Sequence, residues 1–336
     1  MRNWIGLATV GFASAGFAAA PQPPTPLFAS DAPINVRIQG PMSSLVSNRK
    51  EVARPGTMVV DGVTYPIALT PRGITRRTSD TCDFPPLRVE LTQAAPPGSL
   101  FAHQRMLKLV THCKRDTSFQ QKVLLEYSAY RLYNLMTPLS FRARLANIDY
   151  VDESGRPYVS RIGFFLEDFS DVAKRNGMAT AHMPALISVS QIEPESGARF
   201  AVFEYMISNY DWSMRAGPQG TECCHNGRLL SGAASGLLTP VPYDFDFSGL
   251  VDAPYAGPPE GIPIDNLKQR NYRGYCMHLT QARALGAQLL PRRAEFLGVF
   301  ATVPGLDQSN QARASAFIDG FFKDLASGRI FKSCVS

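Results

Sequence analysis

The sequence predicts an α+β protein of two lobes, β-rich first and mainly helical second. Three observations carry that expectation. Between residues 34 and 91, short alternating apolar runs are separated by turn residues, which is the pattern of half-buried strands. Beyond residue 278, apolar residues recur at helical spacing in three successive segments. The chain has 336 residues, 45% of them hydrophobic and 18% charged, which is ordinary globular composition in a length above the usual size of a single core.

The elements follow in order. Residues 35–39 alternate as a strand, and residues 58–60 meet 63–69 across Asp61-Gly62, a strong hairpin signal. Residues 87–91 alternate again. Residues 104–111 read as a further strand with Met106, Lys108 and Val110 on one face. A helix opens near Ser118, where Gln121 completes a capping-box spacing, and Pro138 closes it. Strands are expected at 141–149 and 158–166. Residues 172–187 read as loop and short helix, and 199–210 as a second helix running into Asp211. Two short strands flank a Gly/Ala/Ser turn at 228–230 and 238–247. The last helices are expected at 278–289, 291–302 and 308–326, the second opened by Pro291. No internal repeat is present.

Residues 1–20 read as a cleaved secretory signal. Arg2 precedes an apolar, small-residue stretch, Ala18-Ala19-Ala20 offers a cleavage site, and Pro21 follows. The expected location is therefore secreted or periplasmic, with cleavage after Ala20. Residues 21–32 form a Pro-rich linker, 33–170 the β-rich lobe and 171–336 the helix-rich lobe. No other stretch is apolar enough to span a bilayer, so stable membrane insertion is not expected. The net charge of +6 is scattered rather than clustered, which argues against nucleic acid as a partner. Export makes disulfides the default for Cys82, Cys113, Cys223, Cys224, Cys276 and Cys334. Cys82 and Cys113 flank strands of one unit and are the expected pair. Cys334 is expected to join either Cys276 or the Cys223/Cys224 pair.

Polar residues gather between Asn209 and Gly249. Asp244 and Asp246 alternate on a β-like stretch, so both carboxylates are expected to face one way and to repel unless a cation intervenes. Oxygen ligands of this kind suit Mg²⁺, Mn²⁺ or Ca²⁺, and Asn226 adds a neutral oxygen. Asp211, just past a helix end, is placed to accept a proton from an attacking hydroxyl. Lys108, on an apolar strand face, is suited to hold a phosphate, with Glu126 on the next helix fixing its position. Other chemistries are set aside. The chain has no nucleophile elbow, no glycine-rich phosphate loop and no zinc helix, and adjacent Cys223, Cys224 and His225 are too close to share one tetrahedral zinc. His103, His182 and His278 have no partners in sequence.

The order of motifs resembles the spore-coat CotH family of atypical secreted kinases, over about residues 70–260. The matching pieces are Arg72-Gly73, Cys82-Asp-Phe-Pro-Pro-Leu87, Leu107-Lys-Leu-Val-Thr-His-Cys113, Gly163-Phe-Phe-Leu-Glu167, Asn209-Tyr-Asp-Trp-Ser213, His225-Asn226 and Pro242-Tyr-Asp-Phe-Asp-Phe-Ser-Gly249. The resemblance implies a two-lobed, protein-kinase-like fold and a metal-dependent phosphotransferase, with Mg²⁺ or Mn²⁺ and ATP or another nucleotide as cofactors. It implies that Lys108 holds nucleotide phosphates, that Asp211 acts as base or orients the acceptor, and that Asn226 binds the divalent ions with Asp244 and Asp246. Glu167 would line the adenine pocket through backbone groups. The acceptor, protein or small molecule, is not specified by the sequence.

Two other functions compete. A metal-dependent glycosyltransferase also uses an Asp-x-Asp strand end, and it requires a parallel nucleotide-binding sheet before the motif. A non-catalytic envelope or surface-binding protein would use the disulfides and aromatic residues at a partner interface.

Overall fold

Seven strands with inward apolar residues close on themselves. They are β1 (Ile34–Gln39), β2 (Arg54–Val60), β3 (Val63–Pro71), β4 (Leu87–Leu91), β5 (Met106–Val110), β6 (Ala143–Val151) and β7 (Pro157–Leu166). Their order around the barrel is β1-β2-β3-β4-β5-β7-β6. The neighbouring pairs are antiparallel except the closing one, where β1 runs parallel to β6 with Ile34 opposite Ala146. This computed structural model describes residues 20–232 and 235–336. The expected signal segment lies outside the described residues apart from Ala20, which is exposed.

Alternation decides which side chains fill the barrel. Val36 and Ile38, Met58 and Val60, Tyr65 and Ile67, Val89, Leu107 and Leu109, Ile148 and Tyr150, and Phe165 form one buried cluster. The β2–β3 hairpin turns on Asp61 and Gly62, with φ of 49° and 76°, the two positive values that a tight two-residue turn of this hand requires. On β7, Gly163 admits the close approach of β5, since a Cβ there would stand 2.6 Å from the Val110 carbonyl oxygen.

The outer faces of β6 and β7 feed a second, larger cluster. Leu145, Phe164 and Leu166 pack with Val123, Leu124 and Tyr130 of α2 (Phe119–Met136) and with Phe200 and Phe203 of α4 (Pro194–Ile207). The same cluster continues into α5 (Leu279–Leu289), α6 (Arg293–Gly298) and α7 (Gln308–Ala326) through Leu289, Phe296 and Phe322. A three-stranded antiparallel sheet lies within this part: β8 (Ala179–Ala181), β9 (Gly227–Ser231) and β10 (Thr239–Pro242), in the order β10-β9-β8.

This architecture overturns the expected two-lobed, kinase-like fold. The strands close into a barrel, and the second half is a mixture of helices and sheet rather than a helical lobe. The expectation failed on pairing. Alternation reveals where strands lie, but closure depends on β1 meeting a partner more than a hundred residues later, which local pattern does not encode. The open parallel sheet required by the glycosyltransferase reading is likewise not the arrangement that precedes the acidic motif.

Local departures have simple causes. Ser118 sits in helical conformation and makes no capping bond; Asp116 Oδ1 accepts the Ser118 N–H at 2.9 Å instead. The reciprocal capping box is formed by Ser188 and Gln191. Helix α4 starts at Pro194 rather than residue 199, because Glu193 accepts the N–H groups of Glu195 and Ser196 and proline fits the first turn. Within 172–187 the chain forms α3 (Phe169–Arg175) and the short strand β8. Short α1 (Met42–Ser47) had no periodic signal. Cys82 is bonded to Cys113, Cys276 to Cys334, and Cys223 to its neighbour Cys224.

Candidate functional site

The site is built on the outer face of β5. Leu107 and Leu109 point into the barrel, so Met106 and Lys108 point out, where they line a cavity of about 350 Å³. Leu166 and Glu167 at the end of β7, Asp168, and Phe169 at the start of α3 line the same cavity, with Phe141 from the loop before β6. Arg72, Arg88 and Arg228 supply further positive charge. The walls are therefore apolar and aromatic on one part and charged on another, where Lys108 and three arginines outnumber the lining carboxylates Glu167, Asp168 and Glu222, which suits an anion carrying a flat ring.

Lys108 is half-buried and its ammonium lies 4.3 Å from the centre of the Tyr243 ring. The Arg228 guanidinium stands 5.5 Å from the same ring centre. Burial, then the charge of Arg72, pushes the Lys108 ammonium down to about 7; Arg228 adds to this and Asp244 opposes it. An incoming phosphate would relieve that crowding of positive charge.

The acidic motif adjoins Lys108 through Tyr243. Strand β10 ends at Pro242, and Asp244 adopts a φ of 67°, so the expected strand alternation of Asp244 and Asp246 does not hold. The left-handed turn is fixed in part by the Asp244 N–H, which donates to the Tyr130 hydroxyl at 2.9 Å. Asp244 is nevertheless a hub. Its charge acts on Lys108, Arg76, Glu126, Asp246 and His225.

The other expected site residues divide into three groups. Asp211 and Asn226 come together: Asn226 Nδ2 donates to Asp211 Oδ2 at 2.9 Å and to the Asp211 carbonyl at 2.7 Å. His225 Nε2 stands 2.6 Å from Asp211 Oδ1, and this bond raises the imidazole pKa against the cost of burial. Glu126 and Asp246 form a second group around Arg76. Arg76 Nη1 lies 3.1 Å from Glu126 Oε2 and 3.8 Å from Asp246 Oδ2, and the Tyr255 hydroxyl donates to Asp246 Oδ2 at 3.0 Å. Burial pushes both carboxyls up, with Asp244 adding to the shift at each and Arg76 opposing it. The expected partnership of Glu126 with Lys108 is thus replaced by one with Arg76, whose planar fork reaches both carboxylates in the dry interior.

Glu167 stands apart. It lines the cavity, but Arg175 Nε and Nη2 donate to its two oxygens at 3.1 and 3.0 Å, and the Arg142 N–H donates at 2.9 Å. Its own N–H donates to the Arg142 carbonyl and is not free for a base edge.

Among the described residues no cluster of three or more His, Cys, Asp or Glu side chains is arranged to hold a metal. Asp246 is committed to Arg76 and Tyr255, which removes it from the expected ligand set. Asp244 and Asn226 remain, and the Asn226 amide, having spent its Nδ2 on Asp211, presents only Oδ1. Two oxygen ligands do not make a protein cage.

Arg72, Arg76, Arg228 and Tyr243 are the residues that sequence reasoning left without a role. Tyr243 was visible beside Asp244, but nothing local marks Arg76, in the Arg76-Arg77 pair of a 3₁₀ turn, as 8% exposed. No family model matches the chain and no curated protein matches it.

Proposed function

We propose that the protein is a metal-assisted phosphotransferase that takes a nucleoside triphosphate in the cavity beside Lys108 and passes its γ-phosphoryl to a hydroxyl acceptor. The observation that carries this reading is a chain of contacts around Asp244: Lys108 lies 4.3 Å from the Tyr243 ring centre, the Tyr243 N–H donates to the Asn226 carbonyl at 3.1 Å, and Asn226 Nδ2 donates to Asp211 Oδ2 at 2.9 Å. Phosphate clamp, metal ligand and acceptor-side acid are therefore neighbours. Phosphoryl transfer requires little else beyond positioning.

In this scheme the base lies against the apolar wall of Phe141, Leu166 and Phe169, and Lys108 with Arg72 and Arg228 holds the phosphates. A divalent ion held by Asp244 and Asn226 Oδ1 would neutralise charge between the phosphates. Asp211, held by His225 and Asn226, orients the acceptor hydroxyl and receives its proton. The hydroxyl oxygen bonds to the γ-phosphorus, the bond to the β–γ bridging oxygen breaks, and the nucleoside diphosphate leaves. Arg76 already sits between Glu126 and Asp246, so only one ion is required. The disulfides favour an oxidising location, periplasmic or secreted.

Thermal shift with ATP and Mg²⁺ or Mn²⁺ tests the reading. At a hundredfold excess over Kd, stabilisation of about 2.7 kcal/mol is expected, lost in Asp244→Ala and in Lys108→Met. No metal-dependent shift with any nucleoside triphosphate would overturn it. A second reading, nucleotide binding without transfer, rests on the engagement of both Asp211 oxygens by neighbours. Stabilisation by ATP without formation of ADP in the presence of acceptor extracts would favour it.

A further inference from the structure

A second cavity, of about 290 Å³, opens at the other end of the same two strands. Strand β5 pairs with β7 so that Lys108 faces Leu166 and Val110 faces Phe164. Past that pairing, His112 and Arg115 on the β5 side and Tyr158 and Arg161 on β7 line the second cavity, with Asp83 and Phe84 from the segment before β4. Arg161 is five residues from Leu166 along β7, about 17 Å at the rise of an extended strand. The two cavities are therefore separate.

The charge balance is one-sided. Arg161 donates from Nη1 and Nη2 to the carbonyls of Ser160 and Arg115, at 2.8 and 2.6 Å, and pairs with no carboxylate among the described residues. Arg115 is exposed, and its guanidinium likewise has no carboxylate partner among the described residues. The lining carboxylate, Asp83, lies 3.6 Å from Lys114 and accepts the Arg115 N–H at 3.0 Å. Two arginines thus share one lining carboxylate, Asp83, which Lys114 also holds, and the cavity keeps an excess of positive charge.

In this lining, Arg161 Nε and His112 Nδ1 are buried without hydrogen-bond partners among the described residues, the latter on a residue only 2% exposed. The His112 ring stacks on Phe84 with centroids 4.8 Å apart, and the Tyr158 ring centre lies 6.2 Å from that of Phe84. Burial, then the charge of Arg161, holds the imidazole down at about 3, so His112 offers a hydrogen bond without adding charge at neutral pH. The volume is at the small end for ligand cavities, enough for a single ring.

We propose that this cavity is a second ligand site, taking a small aromatic anion whose charged group pairs with Arg115 and Arg161 while its ring lies against Phe84 and Tyr158. The site is independent of the phosphotransfer reading, which uses the Lys108 cavity. Titration of the full chain with benzoate, phenyl phosphate, inorganic phosphate and benzyl alcohol, read at the His112 imidazole by NMR, tests it. A saturable His112 shift is expected with benzoate or phenyl phosphate, and none with benzyl alcohol. Benzoate and phenyl phosphate together distinguish carboxylate from phosphate as the charged group. Arg115→Gln, at an exposed position that leaves the fold intact, should weaken binding at least tenfold, and Arg161→Lys should weaken it less. No saturable shift with either aromatic anion would overturn the proposal. So would an equal response to benzyl alcohol or to inorganic phosphate, or unchanged affinity in Arg115→Gln.

Discussion

Two buried arginine–carboxylate clusters serve different ends. Around Glu167, every oxygen has a donor: Arg175 Nε and Nη2 reach both, the Arg142 N–H adds a third bond, Nη2 also donates to the Ser140 carbonyl, and Nη1 donates to the Pro138 carbonyl. Around Arg76 the set is incomplete. Glu126 Oε1 and Arg76 Nε are buried without partners among the described residues, and Arg76 comes no closer than 3.8 Å to Asp246. A closed cluster of this kind fixes the junction of β7 and α3. An open one next to Asp244 can still exchange a proton or respond to added charge.

The largest test removes the closed cluster's cation. Arg175→Ala leaves the Glu167 carboxylate buried and unpaired, and urea unfolding should show a loss of about 3–5 kcal/mol. Arg76→Met should cost less, about 2 kcal/mol, because burial already favours protonation of Glu126 and Asp246 and the two can neutralise themselves. Mn²⁺ should stabilise Arg76→Met more than the natural chain, since two carboxylates are released from the guanidinium. Equal losses in the two variants, with no Mn²⁺ response, would erase the distinction between the clusters.

The smallest test is a pH profile. With Lys108 near 7, ATP binding measured by calorimetry should weaken about tenfold from pH 6 to pH 8, as the ammonium loses its proton. Folding runs the opposite way. The unfolded chain keeps that proton up to the ordinary value of 10.5, so it binds more protons than the native state between about pH 7 and 10.5, and stability rises with pH across that window. In Lys108→Met the Lys108 contribution to the stability profile should be missing, so the rise between about pH 7 and 10.5 should flatten relative to the natural chain.

What the sequence disclosed was local. Asp61-Gly62 located the hairpin, Leu87–Leu91 and the outward face of Lys108 followed from alternation, and Cys82 with Cys113 followed from their flanking of one unit. What it concealed depended on distance. Arg76 and Glu126 are fifty residues apart, and the Asp244 N–H is held by a tyrosine hydroxyl from α2, 114 residues earlier. Chemistry-bearing residue types were legible, but which of them share a partner was not, since partners are chosen by tertiary packing.

The parallel seam between β1 and β6 sets an order of events for folding. One side of β1 can pair with β2 almost at once, but the other stays an open edge until Ala143–Val151 has emerged. Contacts of such sequence separation slow folding, and an unpaired edge invites wrong partners while it waits. Arg37 and Gln39 put polar side chains on the outward face of β1. They keep that edge soluble through the interval in which the barrel has no last stave.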